Sequence, residues 1–271
     1  MKTTMPTKKR KYTRRLTNKN YFSKQNQLKY MGVSQFKAFE ECEFGALAEI
    51  KGKYKREQTV SMLVGSYVDA HFEGTLDIFK AKNPQIFKKN GELLSQYAHA
   101  DEIISRIERD KLFMKFMSGE KQVIMTGEIE GVPVKIKIDS YLPDKIVDLK
   151  IMKDFAPVYK EGQGKLLWFE AWRYDLQGAV YQEIVRQNTG KTLPFYLAAA
   201  TKEGVPDIDI IEISQSALDF ELNRFKEKIT YCDAIKKGFI EPHRCEKCNA
   251  CKATKILTEA KKSEDFGDEY C

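Results

Sequence analysis

Asp148-Leu149-Lys150, in the stretch IDSYLPDKIVDLK, sets a carboxylate and an ammonium two residues apart. In an extended strand that spacing brings both onto one face and turns Leu149 to the other. A surface Asp-Lys pair is common and contributes little on its own, so its neighbours decide what it is for. Asp139 begins the same stretch, where a hairpin can carry it across to Asp148. Two carboxylates that close repel unless a cation lies between them, and hard oxygen ligands suit Mg²⁺ or Mn²⁺. Lys150 beside such an ion can orient a water or stabilise charge developing on phosphorus, while the ion lowers the water's pKa. The chemistry open to this set is phosphodiester hydrolysis.

A second constellation lies near the C-terminus. The run C-E-K-C-N-A-C puts Cys245, Cys248 and Cys251 within seven residues, a spacing suited to metal capture. A fourth ligand must come from elsewhere, and His243 is able to replace a cysteine. A ferredoxin-type site needs another cysteine followed by proline, whereas this chain continues KATKIL, which discards it. Zinc and iron-sulfur both accept tetrahedral sulfur, and free thiols are the remaining alternative. Cys232, among apolar helix residues, reads as simply buried, and Cys271 as terminal.

Elements must position these groups. Ser34 is the expected N-cap of a helix over SQFKAFEECEFGALAEIKGK, which carries Cys42. Helical spacing recurs in VSMLVGSYVDAHFEGTLDIFKA and ELLSQYAHADEIISRIERDKLFMKFM, neither with an internal proline. Alternation then takes over in KQVIMTGEIE, VPVKIKIDSYL and KIVDLKI, predicting three consecutive strands joined by turns at Glu130-Gly131 and Pro143-Asp144. WFEAWRYDLQGAVYQEIVRQNTG predicts one long helix closed by Gly190, with Tyr174, Gln177 and Tyr181 on one face. LPFYLAAATKE predicts a buried strand, and QSALDFELNRFKEKITYCDAIKKG an amphipathic helix. No internal repeat interrupts the order. The fold class is α/β, with a mixed central sheet and additional N- and C-terminal helices.

Composition bounds the rest. A chain of 271 residues can bury one large core, which we expect in preference to two small domains. Residues 1–30 hold ten Lys/Arg and no Asp or Glu. They read as a basic flexible tail attracted to phosphate backbones, or else as a merely solvated one. No run of about 18 apolar residues could span a bilayer, which excludes a membrane partner. An N-terminus without an apolar leader, and cysteines spaced unlike a secreted scaffold, point to a reducing cytoplasm.

Helix, three strands, helix, strand with D…(D/E)xK on the second and third strands resembles the PD-(D/E)xK nuclease core. DLQGAVYQ resembles the Q-x-x-x-Y helix motif of its RecB-like branch. Within that branch, SQFKAFEECEFGAL, VGSYVDAHFEG, VKIKIDSYL, IVDLKI and YDLQGAVYQ follow in the order found in phage exodeoxyribonuclease VIII-like (RecE-type) proteins. The resemblance implies a metal-dependent exonuclease that resects linear double-stranded DNA in phage or prophage recombination, inside a bacterial host. It implies a single-strand annealing protein as partner and an oligomer in some relatives. Residues 31–240 would be the nuclease domain, and 241–271 a cysteine-rich segment closing back on it.

Carried over residue by residue, Asp139 and Asp148 would hold Mg²⁺ or Mn²⁺ with the Leu149 carbonyl as a third ligand. Lys150 would position the attacking water. Gln177 and Tyr181 would touch DNA or brace the site, with Tyr174 assisting. The branch usually carries G-x-x-x-H followed four residues later by Glu; counted from Gly65, those positions are Asp69 and Glu73. An aspartate also ligates Mg²⁺, so both join the candidate metal ligands, while His71 is two residues out of register and faces away. Some RecB-like nucleases hold an iron-sulfur cluster with one cysteine before the core and three after it. Cys42 with Cys245, Cys248 and Cys251 matches, so the resemblance favours [4Fe-4S] over Zn²⁺. The other readings of the same features are a noncatalytic, decayed DNA-binding module and a structure-selective endonuclease.

Overall fold

The structure is a computed structural model that describes residues 16–260, 262 and 263. The first half of the basic N-terminal segment, residues 1–15, and Cys271 lie outside the described residues. Seven helices come first: α1 (Lys24–Lys29), α2 (Val33–Glu41), α3 (Glu43–Ile50), α4 (Val60–Phe72), α5 (Leu76–Lys82), α6 (Ser95–Glu108) and α7 (Lys111–Phe116). Strands β1 (Val123–Ile129), β2 (Val132–Ile138), β3 (Ser140–Leu142) and β4 (Lys145–Met152) follow, then the small hairpin β5 (Val158–Lys160) and β6 (Gly164–Leu166). Helices α8 (Trp168–Ala171) and α9 (Tyr174–Thr189), strands β7 (Phe195–Thr201) and β8 (Ile208–Glu212), and helices α10 (Gln215–Lys237) and α11 (Asn249–Ala253) complete the chain.

The central sheet is mixed. Its order is β3-β4-β7-β8, with β4 and β7 parallel and the outer pairs antiparallel. A parallel pair needs a crossover, here supplied by α9. Both central strands are buried on two sides, and their side chains alternate between two cores. Ile146, Met152, Phe195, Leu197 and Ala199 pack toward α2, α9 and α10. Val147, Leu149, Ala198 and Ala200 pack toward α4 and α6. The period of two therefore sends Asp148 and Lys150 to the α9 side and Leu149 to the α4 side.

Several elements differ from the sequence expectation, each for a local reason. The second expected strand is not continuous: it breaks at Asp139 into β2, which pairs only with β1, and β3, which pairs with β4. The expected long helix over 168–190 breaks at Arg173, whose backbone is left-handed at φ 54°, a conformation rare for arginine. The three long helices expected before the strands are likewise divided, at Cys42, at Gly74 (φ 72°), and at Asp110, whose carboxylate caps the Phe113 N–H at 2.8 Å. Gly32 rather than Ser34 caps α2. The β5–β6 hairpin and β8 were not expected; β8 is a five-residue edge strand that pairs antiparallel with residues 196–200 of β7.

Residues 16–30, expected to end a flexible tail, carry α1 instead. Tyr21 is buried, and the Lys135 ammonium of β2 donates to its carbonyl at 2.6 Å and to Gln27 Oε1 at 3.2 Å. Met31 extends this packing by pairing its backbone with β2, its N–H donating to the Pro133 carbonyl at 2.8 Å. Apolar burial of Tyr21 and Met31 is what holds a segment otherwise too polar to fold.

Candidate active site

The break between β2 and β3 forms the site. Asp139 sits in the break, where its Oδ2 accepts the Leu149 backbone N–H at 3.0 Å and its Oδ1 accepts the Gln122 amide at 3.3 Å. Asp148, 2% exposed, lies on β4 beside it. Its Oδ1 accepts the Gln177 side-chain amide at 2.6 Å, and its Oδ2 pairs with the Lys150 ammonium. The Lys150 ammonium also stands 4.6 Å from the centre of the Tyr174 ring. Sequence spacing thus correctly puts Asp148 and Lys150 on one face, and Tyr174 and Gln177 reach them from the first turns of α9.

Asp69 and Glu73 arrive from the end of α4. With Phe72, Met117, Asp139 and Leu149 they line a cavity of about 10 Å³, room for roughly one water-sized occupant. Burial, followed by repulsion from Glu73 and Asp148, pushes the Asp69 carboxyl up to about 7 despite the nearby Lys150. Burial and the charges of Asp148 and Asp69 likewise hold Asp139 well above the usual carboxylate range, with Lys150 and the Leu149 N–H opposing. Burial opposes the charge on Lys150, yet Asp148, Tyr174 and Asp139 outweigh it and leave its pKa raised. His71 is not part of this group: its Nε2 meets Glu108 of α6 at 2.8 Å.

Tyr181 is buried and donates its hydroxyl to the Lys137 carbonyl at 3.0 Å, which ties α9 to β2. It still edges a groove of about 290 Å³ that Lys37, Lys135, Tyr174 and Gln177 also line. Three residues here escape a reading of the sequence. Gln122, with φ 54°, orients Asp139. Lys37 of α2 donates to the Trp172 carbonyl at 2.9 Å and stands 5.0 Å from the Tyr174 ring centre. Burial, then the charge of Lys150, lowers its pKa to about 7. Arg173 spans Glu40 of α2 and Glu221 of α10, the latter at 2.8 Å, and so fixes the start of α9. Only Arg173 had a sequence signal, as a charged residue inside an apolar helix pattern; Lys37 and Gln122 resemble ordinary solvent-facing residues.

The cysteines form a separate cluster. Cys42 ends α2 and caps α3, and meets Cys251 Sγ at 3.6 Å and Cys248 Sγ at 3.7 Å, with Cys245 and Cys251 4.0 Å apart. All four sulfur atoms lie within 4.8 Å of one another, and among the described residues His243 is not in the group. The His243 backbone instead joins the segment to α3, accepting from the Phe44 N–H at 3.0 Å. Cys232 stands apart in α10, where burial pushes its thiol up to about 11.

The family described as "PDDEXK-like domain of unknown function (DUF3799)" matches residues 32–254. The crystal structure of a candidate exonuclease from Eubacterium rectale superposes with a TM-score of 0.90 at 45% identity, over 93% of this chain and 98% of that one. No curated protein matches.

Proposed function

The chain belongs to this PDDEXK-like family, and from that premise we propose that it is a metal-dependent deoxyribonuclease acting on the ends of linear duplex DNA. The observation that carries the reading is the convergence of Asp139, Asp148, Lys150 and Gln177 at the β2–β3 break. The preference for ends rests on likeness to the E. rectale protein and on the phage-type motif order. Phage or prophage recombination, alongside a single-strand annealing protein in a bacterial cytoplasm, is the setting we propose for it. Residues 31–240 form the nuclease unit in this reading, with the segment from 241 closing back on it.

The carboxylates fit a hard divalent cation. Burial and neighbouring carboxylates raise Asp69 to about 7 and push Asp139 well above the usual carboxylate range, a cost that a cation in the adjoining cavity would relieve. Asp69, Asp139, Asp148 and the Leu149 carbonyl would hold Mg²⁺ or Mn²⁺, with Glu73 next to them. When bound, the ion would supply Lewis acidity and a more acidic water.

The protein's own groups do the rest. Lys150 stays protonated beside Asp148, so it orients a water lone pair and opposes charge growing on the phosphoryl oxygens. Gln177 fixes the Asp148 rotamer by donating to Oδ1. Lys37, lining the groove, is placed to meet the DNA backbone. Tyr181 braces β2 so that Asp139 keeps its position.

The test is digestion of linear and closed-circular duplex with Mg²⁺ or Mn²⁺. Loss of linear DNA with circular DNA intact is expected. Cutting of circles would make it an endonuclease, and inert protein with both metals would make it a binding module.

A further inference from the structure

We propose that Cys42, Cys245, Cys248 and Cys251 hold a single tetrahedral zinc ion, not the four-iron cluster that the family resemblance suggests, and that this ion pins the C-terminal segment to the α2–α3 corner. Such a site stands independently of the nuclease reading.

The size of the sulfur shell carries it. Three of the six Sγ–Sγ separations are 3.6, 3.7 and 4.0 Å, and none exceeds 4.8 Å. One zinc with four bonds of about 2.3 Å sets sulfur atoms about 3.8 Å apart, the edge of a regular tetrahedron. A four-iron cube places a separate iron under each thiolate and carries the sulfurs outward from a shared centre. The shell here is too tight to enclose one. Disulfides do not account for it either: each contact is well beyond the roughly 2.05 Å of an S–S bond, and the four sulfurs approach mutually rather than as two pairs.

The backbone is arranged to support thiolates. Cys42 Sγ accepts the Gly45 N–H at 3.3 Å, Cys245 Sγ the Cys248 N–H at 3.3 Å, and Cys248 Sγ the Cys251 N–H at 3.4 Å. Arg244 donates to the Cys251 carbonyl at 2.7 Å, setting a cation beside a centre whose four thiolates and one Zn²⁺ sum to two negative charges. The pinned corner continues into α2, which carries Lys37 and Glu40 to the start of α9.

The experiment is metal and sulfide analysis of the full chain, purified with and without oxygen from cells supplied with both iron and zinc. One zinc per chain, no acid-labile sulfide and no visible absorption are expected. Exchange into Co²⁺ should give thiolate charge-transfer and tetrahedral d–d bands. Brown protein with about four irons and four sulfides per chain overturns the proposal, as does one iron without sulfide or a metal-free chain whose four thiols alkylate freely. Cys248→Ser should fall from one zinc to none, while Cys232→Ser and Asp148→Asn keep it. Should Cys248→Ser fail to fold, titrating the native chain with a thiol reagent must release one zinc in step with modification of these cysteines, and release of none overturns it.

Discussion

Lys150 and Lys37 flank one tyrosine ring under opposite electrostatics. Asp148 and Asp139 hold the proton on Lys150, whereas burial and Lys150 itself bring Lys37 to about 7. Removing either the pair's acid or its base should therefore act on chemistry: Asp148→Ala and Lys150→Ala are expected to lower the rate of linear-duplex digestion by about 100-fold or more, with circular dichroism unchanged. Comparable rates would refute the assignment. Lys37 acts on stability with a definite sign. Below pH 7 the folded chain carries a charge there at a cost the unfolded chain escapes. Between pH 7 and the free-lysine value the folded site is neutral while the unfolded one still binds a proton, so stability rises with pH. Lys37→Met should therefore outlast the native chain in urea at about pH 6, with the advantage shrinking as pH climbs above about 7, and should bind duplex more weakly below about pH 7, where Lys37 carries charge. At this scale the sequence exposed Asp148 and Lys150 because a period of two is visible in the eight residues of β4. It hid Lys37, whose partner Trp172 lies 135 positions away, with Tyr174 beyond it.

Helix α9 sets the geometry of the site, and its packing is tight. A Cβ on Gly178 would lie 2.5 Å from Phe195 Cδ1 and 2.9 Å from Leu218 Cδ2. Gly178→Ala should thus overpack α9 against β7 and α10, costing about 1–3 kcal/mol in denaturant melts and loosening the grip of neighbouring Gln177 on Asp148. Arg173→Ala would leave Glu40 with Lys228 and Glu221 with Arg224 but remove the cation that joins them, at a cost of about 2 kcal/mol, and should reduce digestion by shifting the first turn of α9. Hydrophobic period located every long helix because it averages over many residues. The breaks stayed hidden where they depend on tertiary partners. Arg173 takes its left-handed backbone while bound to two distant carboxylates, and Asp139 leaves its strand because the sheet turns there. The edge strand β8, Ile-Asp-Ile-Ile-Glu, is too short and too charged to stand out from a loop.

At the level of the whole molecule, the order of elements was readable and their spatial closure was not. Alternating apolar strands between amphipathic helices specify a covered mixed sheet, and the structure builds it with a core on each face. Which lysines meet the groove depends on α2 lying across α9, and no local pattern encodes that. The charge of residues 1–15, seven of them Lys or Arg, supports a simple test: deleting them should flatten the plot of log affinity against log salt by about 0.9 for each phosphate they neutralise. An unchanged slope would remove that segment from DNA binding. The placement of α2 has a further consequence, in time rather than space. Phe36 on this helix packs 4.4 Å from the ring of Phe225, and Lys228 reaches Glu40 at 3.1 Å. Glu40 and Lys228 stand 188 positions apart in the chain, so a growing chain carries α2 without this cover until α10 has been made.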